Sequence, residues 1–143
     1  MSAKESAMQT LPGPRINAIN EPFWTACNRD ELLIQQCEAQ DCRKWVYFPR
    51  VCCPHCGHGE LAWRPASGAG RIASYTRIHR PQHPAFFSQA PYYFIAVTLD
   101  EGPLMYSRLE LPAGSPSPAI GQRVTVVFVE QSPGQKLPFF RPA

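Results

Sequence analysis

The sequence predicts a mainly β protein in which an N-terminal helical segment and a small cysteine-rich module precede a five-stranded barrel. Three observations support this fold class. Of the five cysteines between residues 37 and 56, four form two closely spaced pairs, and five runs typical of β-strands follow between residues 71 and 140. The chain also contains 16 prolines, half of which separate those runs. A chain of 143 residues is long enough for one ordinary domain or for a small domain beside a metal-stapled module.

The N-terminal part predicts an arm followed by a helix. Residues 1–20 have no regular pattern, which predicts a flexible N-terminal arm. The next segment places a proline directly before Phe23 and Trp24, and proline is favoured in the first turn of a helix. The two aromatic rings would dock on an apolar surface of the protein. We therefore predict a helical segment over residues 21–36.

The cysteine-rich module, residues 37–63, has the spacing of a metal site. Cys37 and Cys42 enclose four residues, and Cys53 and Cys56 enclose two. Two such loops bring four thiolates within reach of one tetrahedral ion, and the hairpin between them folds the second pair onto the first. The module therefore predicts a zinc ribbon with one structural Zn²⁺. Reduced buried thiols together with one disulfide are the alternative.

Cys52 leaves the second pair ambiguous, because Cys52 and Cys56 could also close a short loop. We favour Cys53, since a proline follows it directly and a two-residue loop then remains before Cys56. The predicted zinc ligands are therefore Cys37, Cys42, Cys53 and Cys56.

The cysteines also bear on the cellular compartment. The first ten residues contain no apolar core of a signal peptide, and no apolar run approaches membrane-spanning length. In a reducing compartment, paired cysteines bind metal more often than they form disulfides. The sequence therefore predicts a cytoplasmic protein without a membrane partner.

Residues 64–143 predict the barrel. The predicted strands are residues 71–79, 92–99, 104–111, 124–130 and 136–140. The second of these is a nearly continuous apolar run, as expected of a strand buried on both faces. Five short strands without a helical period indicate a partly open barrel of the OB type, with an SH3-like barrel or a small sandwich as the alternative.

Basic residues are concentrated in the middle of a chain whose formal net charge is +3. Such an excess favours an anionic partner, either the phosphates of a nucleotide-like ligand or nucleic acid, with solvated surface charge as the alternative. Our candidate phosphate contacts are Arg71, Arg77 and Arg80. Arg71 and Arg77 are an even number of positions apart and would therefore share one face of a strand.

Groups that could catalyse a reaction are sparse. His79 and His83 lie near each other in the sequence, but no nucleophile elbow or oxyanion loop accompanies them. Asp100 and Glu101 directly precede Gly102, which is typical of a turn. The sequence therefore predicts no catalytic residue in this chain.

The order of several short motifs resembles a known family. From Pro22 to Pro142 these are Pro22-Phe23-Trp24, the two cysteine pairs, Phe48-Pro49-Arg50, Trp63, Gly68-x-Gly70, Ser74-Tyr75-Thr76, Pro91-Tyr92, Leu99-Asp100-Glu101-Gly102, Ile120-Gly121 and Pro138-x-Phe140. The chain resembles the acyl-CoA-associated family that joins a rubredoxin-like zinc ribbon to an OB-fold domain, the domain-of-unknown-function family thirty-five. It departs from the family in its first cysteine loop. In the family this loop usually has two residues and is often followed by glycine, whereas here it has four residues and is followed by Arg43.

The resemblance implies a non-catalytic accessory subunit. Members of this family sit against thiolase-like condensing enzymes, steroid side-chain aldolases or hydratases, where they bridge subunits and help to bind the CoA substrate. For this chain the resemblance implies a hetero-oligomer with a thiolase-like condensing enzyme or an aldolase, acting in an acyltransferase, condensing or carbon–carbon cleaving complex. It also implies an acyl-CoA or related acyl substrate, with the catalytic residues in the partner.

The second interpretation is a module that binds single-stranded nucleic acid. Zinc ribbons and OB barrels both bind single strands with basic grooves and stacked aromatic rings. The candidate stacking residues are Phe86, Phe87, Tyr92 and Tyr93. The modest net charge argues against this interpretation, because strand binding depends on phosphate contacts.

Overall fold

The computed structural model describes residues 11–143, so residues 1–10 of the predicted arm lie outside the described residues. The described chain folds into a three-stranded sheet and a closed five-stranded barrel, with a short helix at the N-terminal side. None of its helices is long and apolar enough to cross a membrane.

Residues 11–20, the described part of the predicted arm, have no regular secondary structure before the turn at residues 18–20 that leads into the helix. Asn20 is buried, and its side-chain amide donates a hydrogen bond to the Arg15 carbonyl at 3.0 Å. The Asn20 side-chain oxygen accepts a bond from the Asn17 backbone N–H at 2.8 Å. Gly13 packs against Ser132 so closely that a Cβ at position 13 would lie 2.7 Å from the Ser132 hydroxyl oxygen. These contacts fix the entry into the helix.

Helix α1, Glu21–Cys27, is shorter than the predicted segment over residues 21–36. The chain turns at Asp30, which has a φ of 59°, and strand β1, Leu33–Cys37, follows. A backbone with positive φ cannot continue a right-handed helix. The apolar run at residues 32–34 is too short for periodicity to distinguish helix from strand, which explains why this prediction was wrong.

The ribbon sheet consists of β1, β2 (Trp45–Val46) and β3 (Leu61–Pro65), in the antiparallel order β2-β1-β3. Gln35 on β1 is buried and fastens the loop that leads to the second cysteine pair. Its side-chain amide donates to the Arg50 carbonyl at 2.9 Å, and its oxygen accepts from the Arg50 N–H at 2.8 Å. A central strand thereby sets the position of the loop before Cys53.

The barrel is built from β4 (Ala69–Ile78), β5 (Tyr92–Leu99), β6 (Leu104–Leu109), β7 (Arg123–Ser132) and β8 (Gln135–Pro142). A short 3₁₀-helix, Pro84–Gln89, lies in the loop between β4 and β5. The strand order is β4-β5-β6-β8-β7, and antiparallel pairing of β4 with β7 closes the barrel. The predicted OB-type barrel is therefore present, but it is closed where we expected a partly open one, and a closed barrel excludes the small sandwich.

One hydrophobic core joins the helix, the ribbon sheet and the barrel. Phe23 from α1 and Ile34 from β1 belong to the same buried cluster as Ile95 and Phe140 from the barrel. On β5, however, Phe94 is 42% exposed, so the prediction of a strand buried on both faces was wrong. A barrel strand presents alternate residues to solvent, and an apolar residue on the outer side is then available for contact with another molecule.

Candidate functional site

The two cysteine pairs lie side by side at one end of the ribbon sheet. Cys37 ends β1, Cys42 follows in a turn, and Cys53 and Cys56 lie in the loop between β2 and β3. The four sulfur atoms all lie within 4.8 Å of one another. None of them forms a disulfide. The structure thus brings together the four residues that the sequence predicted as ligands, while Cys52 is exposed and lies outside the cluster.

The sulfur positions fit a tetrahedral metal ion. Cys37 Sγ lies 3.6 Å from Cys56 Sγ, and Cys42 Sγ lies 3.8 Å from Cys53 Sγ. Four thiolates that each lie at about 2.3 Å from a central Zn²⁺ are about 3.8 Å apart. An all-sulfur donor set of this geometry favours Zn²⁺ over Mg²⁺ or Ca²⁺, which prefer oxygen ligands.

Local backbone geometry closes both cysteine loops. In the first loop, the N–H groups of Cys42 and Arg43 both donate to the Ala39 carbonyl at 3.1 Å, and Arg43 has a φ of 54°. Arg43 therefore takes the left-handed conformation that glycine adopts most easily. In the second loop, Gly57 has a φ of 81° and donates to the Cys53 carbonyl at 2.8 Å.

The electrostatics of the cluster favour a bound cation. Burial raises the pKa of Cys53, but N–H groups of Cys56 and His55 and the neighbouring thiols outweigh this effect and lower the pKa to about 7. The pKa of Cys37 is raised, chiefly by burial. Four adjacent thiolates repel one another unless a positive ion compensates their charge, and a divalent metal provides that compensation.

A basic cleft separates the ribbon from the barrel. It has a volume of about 610 Å³ and is lined by Arg43, Lys44, Trp45 and His55 on the ribbon side. Glu101, in the turn between β5 and β6, lies on the barrel side. Its carboxylate accepts a hydrogen bond from the Ser67 N–H at 3.1 Å. We call this cavity the basic cleft.

An apolar groove lies beside the basic cleft, and Tyr47 lines both. The groove has a volume of about 360 Å³. We call it the Trp24 groove, and its lining includes Trp24, Tyr47, Phe86, Phe94, Arg108 and Phe139.

The outer side of β5 and β6 carries an exposed aromatic pair. The rings of Phe94 and Tyr106 stack with centroids 5.8 Å apart and planes 3° from parallel. Tyr106 is 58% exposed, and Leu104 on the same strand is 41% exposed. We call these three residues the outer aromatic face. Exposed apolar surface of this kind is typical of a site that contacts another molecule.

The three arginines proposed as phosphate contacts do not form one strip. A β-bulge between Ile72 and Ser74 shifts the register of β4 against β5, so that Arg71 pairs with Thr98 and Arg77 with Tyr93. Residues 93 and 98 of a regular strand point to opposite faces, and so do their partners. The prediction that Arg71 and Arg77 share a face was therefore wrong. The one extra residue in the bulge reverses which side chains of β4 point to each face of the sheet.

Each arginine has its own surroundings. Arg71 donates to the Gly121 carbonyl at 3.1 Å, which ties it to the loop before β7. The Arg77 guanidinium lies over the Tyr93 ring, 5.7 Å from its centroid. Arg80 is exposed in the loop that follows β4. Arg77 and Arg80 are thus at the same end of the barrel, away from the β4–β7 closure.

The aromatic and histidine candidates are dispersed. The Arg108 guanidinium lies over the Tyr92 ring, 4.5 Å from the ring centroid. Tyr93 packs edge-on against Tyr75. Phe86 lines the Trp24 groove, and Phe87 is exposed. His83 accepts a hydrogen bond from the Ala85 N–H, so it caps the 3₁₀-helix.

The sequence analysis did not single out Arg108 and Tyr106, which both line the Trp24 groove. Neither belongs to a motif, and both lie in a strand of only six residues. Their outward direction could have been inferred from the alternation of β6, in which Met105 and Leu109 are buried. The residues that they meet on the neighbouring strands β5 and β8 depend on the register of the barrel. No short sequence motif encodes that register.

The chain matches two family descriptions. Residues 24–62 match "ChsH2, rubredoxin-like zinc ribbon domain", and residues 63–129 match "ChsH2, C-terminal OB-fold domain". The boundary between the two matches lies within β3.

Two solved structures are similar in fold. A chain of the Ltp2-ChsH2(DUF35) aldolase is 36% identical, superposes with a TM-score of 0.78, and is matched over 91% of this chain and 98% of its own length. A DUF35-family protein of unknown function from Sulfolobus solfataricus has a TM-score of 0.59 at 14% identity, covering 89% of this chain and 87% of that one. The second likeness shows the fold alone.

Two curated proteins are similar in sequence. The probable enoyl-CoA hydratase alpha subunit of Thermomonospora curvata is 36% identical over 132 residues, which is 92% of this chain. A DUF35 domain-containing scaffold protein of Methanothermobacter thermautotrophicus is 39% identical over 85 residues, which is 58% of this chain. The matched regions span 40% of the first relative and 62% of the second.

Proposed function

The chain belongs to the DUF35 family, which joins a ChsH2-type rubredoxin-like zinc ribbon to an OB-fold domain, and from this membership we propose that it is a non-catalytic accessory subunit of a thiolase-like enzyme complex. The observation that carries the proposal is the similarity to a chain of the Ltp2-ChsH2(DUF35) aldolase over 98% of that chain. The scaffold protein among its relatives supports a structural role of the same kind.

In this proposal the outer aromatic face contacts the partner enzyme. Phe94, Leu104 and Tyr106 are all more than two-fifths exposed, and aromatic residues are enriched in the centres of protein–protein interfaces. Burying them against a partner would remove apolar surface from water, which favours a stable complex. The catalytic groups for acyl transfer, condensation or carbon–carbon cleavage belong to that partner.

The zinc ribbon holds the N-terminal half of the chain in its fold. We assign one structural Zn²⁺ to Cys37, Cys42, Cys53 and Cys56, on the basis of their sulfur geometry. With four cysteine ligands the metal has no open position for a substrate or water, which is typical of structural rather than catalytic zinc. The ion therefore stabilises the ribbon beside the basic cleft and takes no part in chemistry.

The acyl-CoA substrate would meet this chain through basic side chains. CoA carries phosphates at its nucleotide end, and arginine binds phosphate oxygens through paired hydrogen bonds. Arg77 and Arg80 at the end of β4 remain our proposed contacts, and Arg43 and Lys44 in the basic cleft form a second basic region. Arg71 is the weaker of the original candidates, because its guanidinium already donates to the Gly121 carbonyl.

Binding of single-stranded nucleic acid is the second candidate. OB-folds bind strands on the face of their second and third strands, and this is where the Phe94–Tyr106 stack is exposed. Among the described side chains that line the Trp24 groove next to this stack, Arg108 is the one basic residue. Phosphate contacts supply most of the affinity of such proteins, so the charge here favours the accessory subunit.

Co-purification tests the proposal directly. The tagged chain is expressed in its native host, and proteins retained through size-exclusion chromatography are identified. We expect a thiolase-like enzyme in a stable hetero-oligomer and turnover of an acyl-CoA only in its presence. Recovery of single-stranded RNA in place of such an enzyme would support the second candidate.

A further inference from the structure

We infer that the Trp24 groove is a strand-addition site, in which an extended, uncharged segment of the partner enzyme pairs with the open backbone edge of β6. This inference deepens the proposed function and rests on it only in assigning the segment to that enzyme. Pairing of β6 with a free peptide does not depend on the proposed function, so the two can be tested separately.

Strands β6 and β8 pair with each other at one position only. Leu109 pairs with Phe140 in parallel, whereas β6 pairs with β5 over six positions and β8 with β7 over eight. Pro138 lies two residues before Phe140 and has no N–H, so the parallel ladder cannot continue through it. The first halves of β6 and β8 are thus not paired with each other, and we call the gap between them the β6–β8 seam.

The Trp24 groove follows this seam. Residues 105–108 of β6 and residues 137–139 of β8 all line it. Successive side chains of a strand point to opposite faces, so consecutive lining residues indicate that the groove reaches the backbone of both strands. A molecule in the groove therefore meets backbone N–H and C=O groups as well as aromatic rings.

On the β8 side of the seam, the backbone groups already have partners. The Pro138 carbonyl accepts a hydrogen bond from the Ser107 hydroxyl. The Lys136 N–H donates to the Asn28 side-chain oxygen at 2.9 Å, and the Lys136 carbonyl accepts from the Gln135 side-chain amide at 2.8 Å. A strand that entered the seam would find little to pair with on β8.

The β6 side of the seam is open. The N–H of Glu110, the residue that follows β6, donates to the Phe140 carbonyl at 2.7 Å. Backbone N–H groups alternate in direction along a strand, so the Tyr106 N–H also points toward the seam. Among the described strands, none pairs with Tyr106 on that side. An added strand can bond to both the N–H and the C=O of Tyr106, as in an antiparallel pair.

The charge of the groove defines the chemistry of the added segment. Arg108 Nε lies 3.2 Å from the Glu110 carboxylate, and the Arg108 guanidinium lies over the Tyr92 ring, so its positive charge is compensated. The other described side chains that line the groove are uncharged. An uncharged segment complements this lining, with main-chain hydrogen bonds to β6 and alternate apolar side chains against the rings.

The groove is continuous with the outer aromatic face. Phe94 and Tyr106 belong to both, and their stacked rings are 42% and 58% exposed. A partner that covers the outer aromatic face would lie directly beside the seam. This continuity is the reason for assigning the added segment to the partner enzyme.

Hydrogen exchange with a blocked neutral peptide of alternating valine and threonine tests the pairing without the partner enzyme. We expect the Tyr106 amide of the purified chain to exchange quickly, and about tenfold or more slowly with saturating peptide. The Ser107 amide is the internal control, because its N–H points to β5 and should be protected with and without the peptide. A Tyr106 amide that is already protected in the free chain, or that the peptide leaves unchanged, would overturn the inference.

Tyr106→Pro and Tyr106→Ala form a matched pair of variants. Both remove the ring, but only proline removes the backbone N–H, and strands tolerate proline where the N–H has no partner strand. The peptide should bind Tyr106→Pro about three- to tenfold more weakly than Tyr106→Ala, as for the loss of one hydrogen bond. Equal affinities would mean that the groove takes up apolar side chains without backbone pairing, which would overturn strand addition. If Tyr106→Pro does not fold, hydrogen exchange in the wild type decides.

These outcomes are separate from those of the proposed function. If the chain captures no enzyme in its native host but the peptide protects the Tyr106 amide, the accessory role fails and the strand-addition site stands. If the chain captures a thiolase-like enzyme but the Tyr106 amide stays unprotected in that complex, the accessory role stands and strand addition fails. Protection that rises with the concentration of the free chain would assign the edge to a second copy and overturn the assignment to the partner enzyme.

Discussion

Cys37 Sγ lies 3.6 Å from Cys56 Sγ although nineteen positions separate the two residues, and Cys42 meets Cys53 in the same way at 3.8 Å. Both close contacts join one cysteine loop to the other, so each loop completes the site only in the presence of its partner. A single structural ion would therefore tie β1 to the loop before β3, and its loss should unfold the ribbon.

We predict that the purified protein contains about one equivalent of zinc and that Cys53→Ser sharply lowers its stability. Zinc binding to such sites is coupled to folding and contributes on the order of 10 kcal/mol. The variant should lose the metal and melt roughly 10 °C or more below the wild type. Metal analysis and thermal unfolding measure the two effects.

Cys52→Ser is the control for that experiment. Cys52 is exposed and lies outside the sulfur cluster, so its replacement should keep the zinc content and the melting temperature of the wild type. Metal-free wild-type protein that melts at the same temperature as zinc-loaded protein would contradict the zinc assignment.

Gly70 controls the closure of the barrel. A Cβ at this position would lie 2.6 Å from the Thr98 carbonyl oxygen and equally close to a Val97 methyl group. Strands β5 and β7 both pair with β4 at this point, so neither neighbour can easily move away. We predict that Gly70→Ala destabilises the protein by about 1–3 kcal/mol, as overpacking of a core does.

Gly59→Ala provides the comparison, since a Cβ there meets no atom within 4 Å. Chemical denaturation of both variants should place Gly59→Ala close to the wild type. Equal stability of Gly70→Ala and Gly59→Ala would show that the closure tolerates a side chain.

The ribbon and the five barrel strands could be predicted because their signals are local. Paired cysteines and apolar runs between prolines each fall within a few neighbouring residues, and the resulting elements match β4–β8 to within a few positions. The three-residue apolar run before Gln35 gave no such signal, and only pairing with β2 and β3 makes it a strand.

Long-range register explains the other errors. The bulge beside Ser74 became visible only when β4 was paired with β5, and it separates Arg71 from Arg77. The Trp24 groove likewise combines segments that are distant in sequence, as in the hydrogen bond from Gln135 to Trp24 across 111 positions. A single sequence contains no local pattern for such contacts.

Asp100 and Arg123 join the end of β5 to the start of β7. Two hydrogen bonds from Arg123, at 2.7 and 2.9 Å, hold the pKa of Asp100 below its usual value, with Arg71 contributing at longer range. A carboxyl whose pKa is lower in the folded state stabilises the fold at pH values above its unfolded pKa, about 4. That contribution is lost as the pH falls through the lower folded value.

We therefore predict that Asp100→Asn is less stable than the wild type at neutral pH and that the difference disappears in acid, below both pKa values. The effect should be small, because both side chains are about two-fifths exposed. Unfolding curves across the acid range measure it, ideally at low salt. A difference that persists unchanged below the folded pKa would assign the effect to packing instead of charge.

The outer aromatic face should be required for the partner complex. Phe94→Ser removes one ring of the stacked pair from a site that is 42% exposed, so the fold should tolerate the change. Affinity for the partner enzyme should fall about tenfold or more, as for an aromatic residue at the centre of an interface. The wild type alone should self-associate at high concentration, and Phe94→Ser should reduce this association.

Ile120→Ser is the matched control, because Ile120 is 65% exposed but lies in the loop before β7 and belongs to neither of the two strands that form the outer aromatic face. In a binding titration, Ile120→Ser should bind the partner enzyme with the affinity of the wild type. An equal loss of affinity in both variants would mean that Phe94 has no special place in the interface.

The purified chain alone should show neither acyl transfer nor carbon–carbon bond cleavage, and addition of the thiolase-like partner should restore turnover. Within that complex, Arg77→Gln or Arg80→Gln should raise KM for the acyl-CoA about three- to tenfold and leave kcat nearly unchanged. The reason is that a contact with a distant phosphate binds the ground state and the transition state equally. The effect should decrease as salt screens the charge.

Steady-state kinetics of Lys44→Gln under the same conditions tests whether the phosphates of CoA lie in the basic cleft or at the end of β4. Lys44 lines the basic cleft, whereas Arg80 lies in the loop after β4. A raised KM in Lys44→Gln with unaltered Arg77→Gln and Arg80→Gln would move the nucleotide end of CoA into the cleft between ribbon and barrel. Turnover by the isolated chain would refute the accessory role, because the partner would then be unnecessary for the chemistry.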